Sequence, residues 1–113
     1  MTRYNLYTKI DESIYKNIYE NCRHEVTKKI PTKGEWNFVY GFDYYCGFFV
    51  QFFPTDELAE FELEDINGFK ESECINIDSI FDSLSGAELG YMLTQFGCGN
   101  QEHIDMAYLD LSF

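Results

Sequence analysis

The segment that most constrains the fold is residues 36–53, which read WNFVYGFDYYCGFFVQFF. Ten of these eighteen residues are aromatic, and the segment contains one acid and no base. Aromatic and β-branched side chains fit the half-buried surface of a pleated sheet, so the segment predicts strands. An apolar surface of this extent must be buried, and the rest of the chain has to be arranged around it.

Within this segment, the pattern is that of a hairpin. Residues 36–42 alternate, with aromatic side chains on one face of the strand. Residues 48–53 are apolar on both faces apart from one glutamine, as in a strand that is covered on both sides. Residues 43–47 supply the turn, because Gly47 adopts a positive φ without strain, and Pro54 ends the second strand.

The aromatic face of the hairpin has three interpretations. The commonest role for such a stripe is the core of a small domain. The second is a ligand pocket around Trp36, Tyr40, Tyr44 and Tyr45. The third is a homodimer joined through residues 48–53.

The length and composition limit the classes of protein to which the chain can belong. A chain of 113 residues predicts one domain, residues 1–113, that is long enough to bury a core without disulfides. No apolar run approaches the roughly 20 residues of a membrane span, and the N-terminal residues lack the apolar core of a signal peptide. We therefore expect a cytoplasmic protein without a membrane partner. Its four cysteines, Cys22, Cys46, Cys74 and Cys98, are then expected to be reduced.

Charge is unevenly distributed along the chain. The formal net charge is −12, from 8 lysines and arginines and 20 aspartates and glutamates. Residues 1–33 contain seven of the bases and four of the acids, whereas residues 34–113 contain one base, Lys70, and sixteen acids. A protein that binds nucleic acid directly needs lysine and arginine to neutralise phosphates. Direct binding to DNA or RNA is therefore not expected.

The N-terminal third has the pattern of an amphipathic helix. Apolar side chains recur every four residues, which predicts a long helix from Thr8 or Asp11 to about Lys29. The pattern leaves open whether residues 3–9 and 74–77 form strands.

Shorter elements are predicted in the rest of the chain. Strict alternation in residues 59–64 favours a third strand. A short helix capped by Asp78 and a longer helix opened by the Ser85–Glu88 capping box follow, and alternation in residues 106–113 predicts a last strand. Together these elements predict a small α+β fold: an antiparallel three-strand meander plus a C-terminal strand, with a long N-terminal helix and C-terminal helices packed mainly on one face.

Two short motifs occur within these elements. One is Tyr-Gly-Phe-Asp at residues 40–43, and the other is an ending at residues 101–113 that closes with Leu-Asp-Leu-Ser-Phe. Together with the aromatic strand that follows residues 40–43, these two motifs resemble a pattern in short bacterial proteins that are often associated with plasmids or phages. The resemblance covers residues 38–53 and 78–113 and implies a bacterial or mobile-element setting. It brings no function and no site residue with it.

No arrangement of residues in the sequence predicts catalysis. For a metal, Cys22 and His24 are the closest pair, but residues two apart on a helix point to different faces. Cys98 and His103, with Asp105 or Asp110, have the residue types of a nucleophilic site. A reactive thiolate needs positively charged surroundings, however, and this half of the chain is strongly negative. We therefore expect no catalytic residue, no metal and no cofactor.

The densest charge lies between Asp56 and Asp82, where there are ten acids and one base. On a strand, alternate glutamates such as those at 60, 62 and 64 lie roughly 6.6 Å apart, which is of the order of phosphate spacing along a nucleic-acid strand. This acidic strip is either a solvated face that keeps an aromatic-rich protein in solution or a surface that binds a partner. Its members are Asp56, Glu57, Glu60, Glu62, Glu64, Asp65, Glu71 and Glu73.

The function that these patterns favour is non-catalytic binding to a basic protein surface. Nucleases and other nucleic-acid-handling enzymes present such surfaces, so the prediction is an inhibitor of the anti-restriction, anti-CRISPR or toxin-immunity type. The alternative is a small-ligand-binding protein or an enzyme that uses the aromatic sheet face as its pocket.

Overall fold

The computed structural model describes residues 2–55 and 74–113 of the chain. In this part of the chain, four antiparallel strands form one sheet in the order β1-β2-β3-β4. The strands are β1 (Thr2–Ile10), β2 (Gly34–Asp43), β3 (Gly47–Pro54) and β4 (Ile75–Asp78). The helices are α1 (Glu12–Asn21), α2 (His24–Thr27), α3 (Gly86–Gln95) and α4 (Gln101–Tyr108). The prediction of a small α+β fold around an antiparallel sheet is confirmed.

The aromatic segment forms the central hairpin of the sheet, as the sequence predicted. Strands β2 and β3 pair from Trp36 opposite Pro54 to Asp43 opposite Gly47. In the turn, the backbone N–H of Tyr45 donates to Oδ1 of Asp43 at 2.7 Å. Gly47 has a φ of 72°, a conformation that glycine adopts at little cost.

One face of the sheet and the helices enclose the core. The β2 side chains on this face, Trp36, Phe38 and Tyr40, are buried, and so is Phe52 of β3. The Phe38 ring centroid lies 4.9 Å from that of Phe96, which follows α3, and 5.1 Å from that of Phe52. Burial of several large rings makes this contact layer a major source of apolar stabilisation.

The homodimer interpretation placed a partner against residues 48–53. Strand β3 lies between β2 and β4, and the side chains of Phe48, Phe49 and Phe52 are buried. These three rings are therefore covered within the chain itself, and the homodimer stays a prediction.

Residues 2–10 form a strand, a point that the sequence left open. Strand β1 pairs with β2 along its whole length, from Thr2 opposite Phe42 to Ile10 opposite Gly34. Its alternate side chains Tyr4 and Leu6 pack against the core. The second open point, residues 74–77, becomes strand β4, which pairs with β3.

The prediction of one long N-terminal helix is wrong, because the segment contains a strand end and two separate helices. Asp11 caps α1 by accepting the N–H of Ile14 at 2.8 Å. The helix stops at Cys22, which has extended backbone angles of φ −122° and ψ 157°. The next N–H, that of Arg23, donates to the carboxylate of Glu88 at 3.0 Å. A hydrogen bond to a residue far along the chain therefore stabilises the break between α1 and α2.

The prediction of a C-terminal strand at residues 106–113 is also wrong, because helix α4 continues to Tyr108. The side chain of Asn100 caps α4 by accepting the N–H of His103 at 3.2 Å. Ile104 and Ala107 are buried three residues apart, which is a helical period, whereas Leu109 and Leu111 in the alternating stretch are exposed. Packing of α4 on α3 therefore favours a helix over the predicted strand at the start of this segment.

The segment between β4 and α3 is a turn and not the predicted short helix. Oδ1 of Asp78 accepts the N–H of Phe81 at 2.7 Å, but this hydrogen bond closes a turn and does not cap a helix. The capping box of Ser85 and Glu88 that opens α3 is confirmed. The strand predicted at residues 59–64 lies outside the described residues. In the described part of the chain, no helix is long and apolar enough to cross a membrane.

Candidate functional site

The eight residues of the acidic strip have positions between 56 and 73, which lie outside the described residues. The strip therefore stays a prediction from the sequence. The described structure instead offers three places where side chains with binding or chemical potential meet.

The four aromatic residues predicted to form a pocket are not brought together. Trp36 and Tyr40 lie in the core, where they are 0% and 3% exposed. The indole N–H of Trp36 donates to the backbone carbonyl of Lys33 at 3.0 Å. Tyr44 and Tyr45 lie at the β2–β3 turn and are 90% and 87% exposed. Two of the four rings are thus part of the core, and the other two belong to a surface.

The first meeting point joins β2 to α4 and is formed by Tyr40, Cys98 and His103. The Tyr40 hydroxyl lies 2.8 Å from Nδ1 of His103 and 3.7 Å from Sγ of Cys98. The imidazole ring centroid lies 4.2 Å from that of Tyr4 and 5.1 Å from that of Phe113. Burial raises the pKa of the Tyr40 phenol, and the hydrogen bond with Cys98 acts in the same direction. The phenol is therefore a neutral hydrogen-bonding group between an imidazole and a thiol.

Neither of the two aspartates that were considered alongside Cys98 and His103 takes part in the contacts of this cluster. Asp105 is exposed, and its Oδ1 accepts a hydrogen bond from Nε2 of Gln101 at 2.9 Å. Asp110 lies beside Gly86 at the start of α3. The imidazole of His103 is oriented by Tyr40, so the contacts give the cluster a role in fixing α4 on the sheet.

The second meeting point is a cavity of about 200 Å³ on the face of the sheet opposite the core. Its lining residues are Arg3, Asp43, Cys46, Phe49, Gln51 and Asn76. The Oε1 atom of Gln51 is buried and has no hydrogen-bond partner among the residues that the structure describes. An unsatisfied buried amide oxygen costs free energy, so a donor that entered the cavity would bind there favourably. The only sequence signal for this place was one glutamine within an otherwise apolar strand.

The third meeting point is an exposed apolar surface on two neighbouring turns, which we call the turn surface. It consists of Tyr44, Tyr45, Ile80 and Phe81. The N–H of Ser79 links the turns by donating to the carbonyl oxygens of Phe48 at 3.0 Å and Cys46 at 3.2 Å. Ile80 and Phe81 fall in the segment for which a short helix was predicted, so the sequence did not reveal this surface.

Among the described residues, two ion pairs connect the basic N-terminal part to the acidic C-terminal part. The Nη2 atom of Arg23 lies 2.9 Å from Oε1 of Glu88, and Nζ of Lys29 lies 2.8 Å from Oδ1 of Asp82. Both carboxylates are buried, whereas both cations are partly exposed. Asp82 also accepts the backbone N–H of Asp78 at 3.1 Å. These acidic and basic side chains therefore stabilise the fold.

The cysteine and histidine pair considered for a metal is split by the break between the first two helices. Cys22 ends α1 and His24 begins α2. Burial raises the pKa of the Cys22 thiol to about 12, and the charge of Glu88 adds to this. Within residues 2–55 and 74–113, no group of three or more His, Cys, Asp or Glu side chains is placed to hold a metal ion.

The sequence matches no protein-family model, and neither the curated proteins nor the solved structures contain a match to this chain.

Proposed function

We propose that the protein is a non-catalytic binding protein whose partner presents a basic surface of the kind that nucleic-acid-handling enzymes use to hold DNA or RNA. The protein occupies that surface through its negative charge and thereby inhibits the partner. A mobile-element protein that protects its DNA from a host nuclease, or an immunity protein against a nuclease toxin, acts by the same physics.

The observation that carries this proposal is the charge of the chain after residue 33, where sixteen acids accompany one base. Among these acids, Asp78, Asp82 and Glu88 are buried and bonded within the fold. The eight members of the acidic strip are additional to these three. Like charges concentrated in this way repel one another and lower stability, so an opposing gain from binding would account for them.

The distribution of bases supports the same proposal. Seven of the eight bases precede residue 34, and two of them, Arg23 and Lys29, are paired with buried carboxylates. Internal pairing thus reduces the positive charge that the N-terminal part can offer to nucleic acid. A partner with a basic channel would be steered toward the acidic part of the chain.

The test is capture of partners from a bacterial lysate on the immobilised protein, at low and at high salt. Three forms are compared: wild type, Glu60→Gln/Glu62→Gln/Glu64→Gln, and Glu20→Gln/Glu25→Gln/Glu102→Gln. The last is a matched control, because it removes the same charge from exposed positions outside the acidic strip. Captured proteins are identified by mass spectrometry, and added DNA or RNA serves as the competitor.

We expect the wild type and the control to retain nucleic-acid-binding proteins at low salt and to lose them to added DNA or RNA. The strip variant should retain much less of the same proteins. Retention of the partner by the strip variant at the wild-type level would mean that the acidic strip only maintains solubility, and the proposal would fail.

The cavity opposite the core supports a second candidate function, the binding of a small polar ligand. The observation in its favour is the buried Oε1 of Gln51, which has no hydrogen-bond partner within residues 2–55 and 74–113, in a cavity that Arg3 and Asp43 also line. A thermal-shift screen with small polar metabolites tests it. A ligand that stabilises the wild type but not Gln51→Leu supports this function, and the lack of any stabilising compound counts against it.

A further inference from the structure

The cavity on the sheet face opposite the core follows strand β3 and is lined by different chemistry along its length. Asp43 lies at the β2–β3 turn, where it is opposite Gly47. Gln51 lies farther along β3 and is opposite Asn76 of β4. The buried ring of Phe49 comes between these positions and also lines the cavity. The cavity therefore has a carboxylate toward the turn, an aromatic ring in the middle and two amides beyond it.

Arg3 reaches the same cavity from the neighbouring strand β1. It is opposite Gly41 of β2, which in turn is opposite Phe49. Its guanidinium carbon lies 5.7 Å from the centroid of the Phe53 ring, which is a cation–π distance. Within residues 2–55 and 74–113, no ion pair or hydrogen bond engages its five N–H donors. The ring thus positions a cation that can still bind an anion in the cavity.

Two acceptor groups line the same space. Oδ1 of Asp43 accepts the N–H of Tyr45 at 2.7 Å, which orients the carboxylate and leaves Oδ2 for another donor. Oε1 of Gln51 has no hydrogen-bond partner among the described residues. Because the last torsion of a glutamine side chain is broad, rotation of this amide can present Oε1 to a donor in the cavity. A cationic group of a ligand suits both acceptors.

Arg3 and Asp43 line one cavity but do not neutralise each other. In the described part of the chain they form no ion pair, whereas the buried carboxylates Asp82 and Glu88 are each paired with a base. A ligand that carries one negative and one positive group would satisfy both side chains at once. The cavity has about 200 Å³. Since a cavity of about 150 Å³ accepts benzene, this volume suits a molecule of roughly six to nine non-hydrogen atoms.

We propose that this cavity binds a free α-amino acid with a small aliphatic side chain. The carboxylate of the amino acid accepts hydrogen bonds from Arg3, its ammonium group donates to Asp43 and Gln51, and its side chain contacts the ring of Phe49. This inference rests on the second candidate function, the binding of a small polar ligand, and names the chemical class of that ligand.

The test is a nuclear magnetic resonance titration of the ¹⁵N-labelled full chain with L-valine, L-threonine and L-leucine. The matched controls are 3-methylbutanoate, which is valine without its ammonium group, and 2-methylpropylamine, which is valine without its carboxylate. We expect at least one of the amino acids to shift the amide signals of residues 41–51 and 75–77, and the controls to leave them unchanged at the same concentration. No shift with any of the three amino acids, or equal shifts with a control compound, would overturn the inference.

Three variants assign the binding to the two charges. Arg3→Met and Asp43→Asn should each weaken amino-acid binding by on the order of tenfold or more. Asparagine keeps the oxygen that accepts the N–H of Tyr45, so the turn is retained. Lys9→Met is the control, because it removes an exposed base from the same strand outside the cavity, and it should leave the affinity unchanged. Equal losses for Arg3→Met and Lys9→Met would contradict the assignment.

The inference and the function on which it rests can fail separately. If the thermal-shift screen finds a compound without both charges that stabilises the wild type but not Gln51→Leu, the second candidate function stands and the inference falls. If no compound stabilises the protein and no amino acid shifts its signals, both fall. Amino-acid binding that persists unchanged in Arg3→Met and Asp43→Asn would place the ligand outside this cavity and would also overturn the inference.

Discussion

The guanidinium Nη2 of Arg23 lies 2.9 Å from Oε1 of Glu88, and the backbone N–H of the same arginine donates to Oε2 of Glu88 at 3.0 Å. One buried carboxylate thus ends helix α1 and opens helix α3, since it also accepts the N–H of Ser85 at 3.1 Å. Together with the Lys29–Asp82 ion pair, this contact connects the basic N-terminal part of the chain to the acidic remainder.

We expect Glu88→Gln to destabilise the protein by about 1–3 kcal/mol. Glutamine keeps the shape of the side chain but loses the charge, and its NH2 group cannot accept the hydrogen bonds that one carboxylate oxygen now receives. Urea unfolding at neutral pH measures the loss. Glu102→Gln is the control, because Glu102 is exposed in the first turn of α4, and it should change the free energy of unfolding by less than about 0.5 kcal/mol.

Glu88 should also make stability depend on pH in the acid range. Burial acts to raise the pKa of this carboxyl, but hydrogen bonds from Arg23 and Ser85 outweigh burial, and the pKa lies below its usual value of 4.5. A carboxyl whose pKa is lowered on folding contributes stability above its unfolded pKa, and this contribution is lost as the pH falls through the folded pKa. The wild type should therefore lose stability below about pH 4.5 more steeply than Glu88→Gln. Identical slopes for the two proteins in urea melts across this range would show that the ion pair is not formed in solution.

Replacing a buried phenylalanine of the aromatic core by alanine should lower the free energy of unfolding much more than the same replacement at an exposed phenylalanine. Phe38→Ala should cost about 3–5 kcal/mol, because its ring is fully buried against Phe52 and Phe96. Phe81→Ala should change stability by less than about 0.5 kcal/mol, because Phe81 is 85% exposed. Denaturant melts of the two variants provide the comparison. Similar costs would mean that the register of the sheet or the position of the 79–83 turn is incorrect.

The contact between helices α3 and α4 depends on a glycine. A Cβ atom at Gly86 would collide with the carbonyl oxygen of Ala107 and lie 3.2 Å from Cε2 of Phe48. Gly86→Ala should therefore destabilise the protein by about 1–3 kcal/mol, since backbone has to move to admit the methyl group. Gly99→Ala is the control, because among the described residues no atom beyond the adjacent ones in the chain lies within 4 Å of a Cβ at that position, and its effect should stay within about 1 kcal/mol. Equal melting curves for the two variants would place the helices farther apart than described.

Local signals were sufficient for the hairpin and for the caps. The alternation through Trp36, Phe38 and Tyr40, the glycine at the turn and the spacing of Ser85 and Glu88 each act over a few residues, and the structure follows them. The class of fold could be predicted because strands with such aromatic density have to pair and be covered by helices.

Contacts between distant parts of the chain caused the errors. The apolar stripe continues through Cys22, yet the helix breaks there because Glu88 captures the next backbone N–H. The alternation from Ala107 to Phe113 fits a strand equally well, and packing against Gly86 makes its first residues helical. The turn surface and the cavity around Gln51 arise from pairing between strands and turns, so no short motif could have indicated them.

The central claim is that negative charge brings the protein to a basic partner, and the association rate constant measures this most directly. The partner recovered by capture is purified, and its association with wild type is followed while the ionic strength is raised from about 0.01 M to about 1 M. Over this range the screening length falls from about 30 Å to about 3 Å. We expect the rate constant to decrease by on the order of tenfold or more, with a shallower dependence for Glu60→Gln/Glu62→Gln/Glu64→Gln than for the control Glu20→Gln/Glu25→Gln/Glu102→Gln. An association rate that does not change with salt, or the same dependence for both variants, would contradict the claim that the acidic strip guides binding.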